Sequence, residues 1–114
     1  MTEEADKSVN VAFSEAIDLA GMLSVQEGSV VSRTLLRKET GTVTVFAFDE
    51  GQGLSTHSAP YDALVYIVAG EAEVTISGAV SIVKAGQLIV MPADAPHALK
   101  ALKPFKMMLV MIKS

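Results

Sequence analysis

The sequence predicts an all-β sandwich or barrel with a short N-terminal helix. Eight or so short segments rich in β-branched and aromatic residues follow one another from residue 29, with turn signals every 8 to 12 residues. A helical period of 3.6 residues is hard to find after residue 25, and no segment has the pattern of a crossover helix. A parallel α/β sheet is therefore excluded in favour of antiparallel strands.

The first part of the chain predicts little regular structure. Residues 1–10 are polar and indicate a flexible leader, which leaves residues 11–114 for a single folded domain. Ser14 is a candidate helix N-cap and Gly21 a candidate stop, so a helix of about two turns is expected between them.

The strand signals then run to the end of the chain. The segment 71–77 alternates strictly and places Ala72, Val74 and Ile76 on one face. The pair Ser77–Gly78 suits a tight hairpin turn. Strands are predicted at residues 29–36, 42–48, 63–69, 71–77, 80–83, 87–91, 97–102 and 105–113.

Composition narrows the classes of function. Half of the 114 residues are apolar, the net charge is −4, and there is no cysteine. The scattered Lys and Arg residues form no basic stripe for nucleic acid, and neither disulfides nor thiolate metal sites can form. No signal peptide or membrane-spanning run is recognisable, so a soluble, cytoplasmic protein is expected. The apolar surplus, with two-sided apolar segments near residues 30–36 and 105–112, favours a homodimer.

The only two histidines each stand where a turn meets a strand. The first lies in a run of Gly51, His57, Ala59, Ala63 and Gly70, with 5, 1, 3 and 6 residues between successive members. This spacing resembles the first motif of the cupin superfamily, which reads Gly, His, His, Glu and Gly. Here the second His and the Glu of that motif are both alanine.

The second histidine lies in a run that resembles the second cupin motif. Gly86, Pro92, Asp94, His97 and Ala101 are separated by 5, 1, 2 and 3 residues. The family has Gly, Pro, Gly, His and Asn there, so Asp94 and Ala101 depart from it. The resemblance covers residues 51–101 and is to small single-domain bacterial cupins. It implies a double-stranded β-helix, or jelly-roll barrel, in which the two histidines lie close together.

Strand alternation and the resemblance together define a candidate interior pocket. Tyr61 is expected at its mouth, where a phenol can donate a hydrogen bond to a ligand. The expected pocket residues are mostly aliphatic: His57, Ala59, Tyr61, Ala63, Val65, His97, Leu99 and Ala101.

Three functions fit such a pocket. The first is binding of a small, largely apolar molecule, as a sensor or carrier or as an enzyme with a histidine base. The second is a divalent metal (Zn, Ni, Fe or Mn) held by His57 and His97, as the resemblance to dioxygenase and isomerase cupins implies. The third is a dimerising scaffold without a ligand. Because cupins have many activities, the fold does not choose among the three.

Overall fold

The computed structural model describes residues 14–113. The predicted leader, residues 1–10, lies outside the described residues. The described elements are α1 (Leu19–Met22), β1 (Val30–Lys38), β2 (Gly41–Phe48), β3 (Gly53–His57), β4 (Asp62–Ala69), β5 (Glu71–Ile76), β6 (Ala79–Lys84), β7 (Leu88–Met91), β8 (His97–Lys100) and β9 (Phe105–Ile112). Within residues 14–113, no helix has the length and hydropathy needed to cross a membrane.

The strands form two antiparallel sheets, which confirms the predicted all-β barrel. One sheet has five strands in the order β1-β2-β9-β4-β7, and the other has four in the order β3-β8-β5-β6. Each of the eight predicted strands is present with bounds shifted by a few residues. The additional strand, β3, has no apolar run of its own because its sequence is GLSTH, and its backbone is extended by pairing with β8.

The predicted helix is shorter than its sequence signals indicate. It spans the four residues Leu19–Met22, with Asp18 at the N-cap. Ser14, the expected cap, lies outside it with a left-handed φ of 71°, and Gly21 lies inside it. No residue of this helix is buried, so nothing in the core stabilises a longer one. The Lys106 Nζ donates a hydrogen bond of 2.6 Å to the Ala20 carbonyl.

The core fills the space between the two sheets. In β4 the residues Ala63, Val65 and Ile67 are buried, whereas the intervening side chains are half-buried on the outer face. Phe48 and Phe105 stack with ring centroids 4.5 Å apart. Both rings are almost completely buried, so this end of the barrel is closely packed.

Two glycines with left-handed backbone provide a test of this packing. Gly70 has a φ of 78°, and a Cβ there would lie 2.5 Å from the Pro104 carbonyl oxygen. Gly86 has a φ of 87°, but a Cβ there would meet nothing within 4 Å. Gly86→Ala therefore introduces only backbone strain and is expected to cost about 1 kcal/mol of unfolding free energy.

Gly70→Ala adds a clash with backbone to the same strain. We expect it to lower the free energy of unfolding by about 2 kcal/mol more than Gly86→Ala does. Urea denaturation of both variants, followed by circular dichroism, measures the difference. Equal losses would contradict the close approach of β4 to the start of β9.

Candidate functional site

A small cavity lies between the sheets at the end of the barrel where β3 ends and β8 begins. Its volume is about 50 Å³. Most of its wall is aliphatic or thioether, and its polar side chains are two histidines and one tyrosine. The lining residues are Leu54, His57, Ala59, Tyr61, Ala63, Met91, His97, Leu99, Met107, Leu109 and Met111.

Six of the eight residues expected at a pocket line this cavity, and Val65 and Ala101 do not. Val65 is fully buried and pairs with Ile89 and Leu109, one row deeper in the sheet than Ala63. Ala101 lies beyond the other end of β8, where its backbone exchanges hydrogen bonds with Gly51 and Gln52. Both side chains therefore pack the core instead of facing the cavity.

His57 and His97 are brought together by direct strand pairing. His57 ends β3, His97 begins β8, and the two are opposite each other in the antiparallel register. Their ring centroids lie 4.5 Å apart, with an angle of 68° between the planes. His97 is buried, whereas His57 is exposed at the rim. The cavity thus has one imidazole at its mouth and one inside.

Local hydrogen bonds determine the tautomer of both rings. The Nδ1 of His57 is 2.9 Å from the Ser55 carbonyl oxygen, and the Nδ1 of His97 is 3.0 Å from the Ala95 carbonyl oxygen. A carbonyl oxygen only accepts, so each Nδ1 carries the proton and donates it. In the neutral ring the Nε2 is then left with a free lone pair.

The Nε2 of His97 stays accessible although the residue is buried. Among residues 14–113, every buried side-chain nitrogen or oxygen has a hydrogen-bond partner. The described hydrogen bond of His97 is made by Nδ1, so its Nε2 is not sealed in the core. Both rings therefore present an acceptor or ligand nitrogen that no other described residue uses.

The residues present do not complete the cupin metal site. Ala59 and Ala63 both line the cavity at the positions of the missing His and Glu. Asp62 lies on the opposite face of β4, and its Oδ1 accepts a hydrogen bond of 2.9 Å from the Ala93 amide. Across residues 14–113, no three His, Cys, Asp or Glu side chains form a group that can hold a metal ion. The usual four-ligand set for a divalent ion therefore does not fit here.

Five lining residues were not among those expected from the two motifs, namely Leu54, Met91, Met107, Leu109 and Met111. Met91 directly precedes Pro92 of the second motif and is 3% exposed. Its strand, β7, pairs with β4 and places Met91 beside Ala63. The position of Met91 directly before the motif proline could have marked it as a candidate. Its pairing with Ala63 across the sheet could not be predicted from any local sequence pattern.

The turn before His97 depends on a residue that departs from the cupin motif. Asp94 has a φ of 67°, the left-handed conformation for which the family's glycine is suited. Aspartate is among the residues that tolerate this conformation, so the turn is kept. The Asp94 amide donates a hydrogen bond of 2.7 Å to the Ala59 carbonyl and ties the two motif loops together.

Comparison with known proteins identifies the family. A model of the cupin domain matches residues 44–113. A conserved protein of unknown function from Streptococcus pyogenes is 41% identical, with a TM-score of 0.88 and 92% of each chain aligned. A cupin 2 conserved barrel domain protein from Leptotrichia buccalis is 39% identical, with a TM-score of 0.83 over 85% of this chain and 47% of that longer one.

A more distant structure shares the fold. A cupin superfamily protein from Desulfitobacterium hafniense is 24% identical, with a TM-score of 0.86 over 92% of this chain and 96% of that one. No curated protein gives a significant match. The family model spans more than half of the sequence, so the chain belongs to the cupin domain family.

Proposed function

We propose that this cupin barrel binds a small, largely apolar ligand in the cavity that His57 and His97 share. The observation that carries the proposal is the pair of imidazoles in an otherwise mostly apolar wall. A site of this composition excludes water from most of the ligand and leaves a few polar groups to orient it. Binding as a sensor or carrier requires nothing more than these features.

The tautomers of the two histidines determine which chemical groups of a ligand they can bind. Both Nδ1 protons are donated to backbone carbonyls, so the rings offer the cavity acceptors and no donor. A ligand anchored by these rings must then donate a hydrogen bond or be a cation. An uncharged molecule with acceptor groups alone finds no partner in either ring.

The volume limits the size of the ligand. About 50 Å³ is far below the 300–1,000 Å³ of sites for drug-sized ligands. A ligand of about four non-hydrogen atoms contributes at most about 6 kcal/mol of binding free energy, which corresponds to a Kd no tighter than about 40 µM. The proposed ligand is therefore very small, and an uncharged one is bound weakly.

Matched probes of one size test the acceptor character of the site. We expect 2-propanol, which donates a hydrogen bond, to shift the ¹⁵N resonances of His57 and His97 saturably at millimolar concentration. Acetone has the same number of heavy atoms but only accepts, so it is expected to shift them far less. Long-range ¹H–¹⁵N NMR of the imidazoles makes the measurement.

The control for this experiment is a variant with an aromatic ring but no ring nitrogen at position 97. His97→Phe fills similar space and removes one of the two acceptors, so the saturable response of His57 to 2-propanol should require a higher 2-propanol concentration. Equal responses to 2-propanol and acetone, or no saturable response to either, would count against the proposal.

Introducing the His and Glu of the cupin motif at positions 59 and 63 tests whether Ala59 and Ala63 face the bound molecule or ion. Ala59→His with Ala63→Glu supplies the cupin ligand set with His57 and His97 and is expected to tighten Zn²⁺ binding by about 100-fold or more. The metal-free variant should lose about 2–4 kcal/mol of unfolding free energy, because a carboxyl group is buried among apolar side chains. Calorimetric titration and urea denaturation measure the two effects.

The control for the restored site carries the same two side chains elsewhere. Ala85→His with Ala79→Glu places them at exposed positions, where neither effect is expected. Tight Zn²⁺ binding by the unaltered protein, or none by the cavity variant, would contradict the assignment of the alanines.

As partner of this barrel we propose a second copy of the chain. An uninterrupted apolar row crosses the outer face of the five-stranded sheet, one residue from each strand: Leu36, Val43, Val110, Leu64 and Val90. The two ends of the row, Leu36 and Val90, are 41% and 53% exposed.

A pair of valine variants tests the homodimer. Val90→Lys places a charge on the outer face of the five-stranded sheet and is expected to convert a dimer into a monomer. Val80→Lys alters a 61% exposed valine on the other sheet and should leave the dimer intact. Light scattering coupled to size-exclusion chromatography gives the masses. An unaltered protein that is monomeric at micromolar concentration would refute the dimer.

A further inference from the structure

Two methionines flank Ala63 within the five-stranded sheet. Ala63 is paired with Met91 of β7 on one side and with Met111 of β9 on the other. Residues directly opposite each other in antiparallel strands point to the same face, and all three line the cavity. The small side chain of Ala63 separates two long ones, at the position where the cupin motif has a glutamate.

The two histidines face this row from the other sheet. His57 and His97 belong to β3 and β8, whereas Met91 and Met111 belong to β7 and β9. Packed sheets lie about 10 Å apart, a gap that imidazole and thioether side chains from opposite sides fill together. The cavity therefore has two nitrogen donors on one wall and, on the other, the two sulfur donors that flank Ala63. The third lining methionine, Met107, lies opposite Ile67, four residues from Met111 along β9.

The chemistry of these four donors is selective. Thioether sulfur is a soft ligand that favours Cu(I), whereas Mg²⁺, Ca²⁺ and Mn²⁺ favour carboxylate and carbonyl oxygen. All four donors are neutral, and no Asp or Glu is among the lining residues. Without a carboxylate to compensate charge, desolvating a single positive charge costs less than desolvating two.

We propose that the ligand of the cavity is a soft monovalent metal ion, Cu(I), bound by His57, His97, Met91 and Met111. The inference rests on the part of the proposed function that places the ligand at the Nε2 atoms of both rings, and it names a metal ion in place of a largely apolar molecule. A metal ion fits the small volume, and as a cation it is one of the two kinds of partner that the free Nε2 atoms can bind. Binding involves no change of oxidation state and no proton transfer, since each Nδ1 keeps its proton.

Anaerobic titration of the full chain with Cu(I), against the competing chelator bicinchoninate, tests the proposal. We expect one Cu(I) per chain and no comparable affinity for Zn²⁺. Met91→Leu with Met111→Leu removes both sulfurs at nearly constant volume, so the barrel is expected to stay folded. Residues that only orient a ligand contribute about 10- to 100-fold to metal affinity, so loss of two direct ligands should weaken Cu(I) binding by at least about 100-fold.

The matched control is Met108→Leu on the same strand. Met108 pairs with Tyr66 and Val45 and points to the outer face of the sheet, so this variant should bind Cu(I) as the unaltered protein does. Circular dichroism melts of all three proteins without metal establish that they are folded. As a second readout, Ag(I), which is not oxidised in air, should shift the methyl ¹H–¹³C resonances of Met91 and Met111 but not that of Met108.

The outcomes separate this inference from the proposed function. Cu(I) affinity that survives Met91→Leu with Met111→Leu would overturn the inference, and so would a failure of the unaltered protein to bind Cu(I). If 2-propanol still shifts the histidine resonances in either case, the proposed small-ligand site stands without its metal. If His97→Phe leaves both Cu(I) and 2-propanol binding unchanged, both proposals fall together.

Discussion

The candidate site depends on the insertion of β9 between β2 and β4. The last strand of the chain pairs with β2 from Gly41 to Phe48 and with β4 from Asp62 to Ala69, so it connects the first and middle parts of the sequence. This double pairing fixes which residues of β4 and β9 are neighbours and so sets Met111 beside Ala63. Pairings this distant in sequence cost loop entropy, which must be offset by burial of the core between the sheets.

Much of the fold could be predicted because it is encoded locally. Alternation in segments such as 71–77 reveals both the strand and its buried face, and Ala72 and Val74 are indeed buried. The motif spacings located His57 and His97 at turn–strand junctions. By contrast, β3 has a polar, glycine-containing sequence and becomes a strand because β8 provides a partner. The helix signals after Ser14 give only one short turn of helix, because no residue between Ser14 and Met22 is buried.

The site was less predictable than the fold, for a physical reason. Alternation gives the face of a residue but not whether packing leaves space beside it. Val65 shares a face with Ala63 but is fully buried, whereas its neighbour on β9, Leu109, lines the cavity. Likewise, Met91 and Met111 are 20 residues apart in the sequence, and only the order of strands β7, β4 and β9 makes them neighbours of one alanine. The volume of the cavity depends on side-chain packing, which no sequence pattern reports.

Replacement of two ligands by alanine also changes how binding relates to folding. A buried glutamate needs a metal or another partner to offset its desolvation, whereas alanine packs without one. Cavity residues that are small or apolar let this barrel fold without a bound ion, so metal binding and folding need not be coupled. The remaining imidazoles are oriented by carbonyls only two residues away, at Ser55 and Ala95, and not by the ligand.

Because the rings are held before any ligand arrives, a bound molecule or ion does not have to order them. His57 is exposed at the rim and His97 is buried, and the hydrogen bond at each Nδ1 leaves the Nε2 of the neutral ring with a lone pair. The strand pairing of β3 with β8 therefore builds the candidate site from two rings that are already oriented.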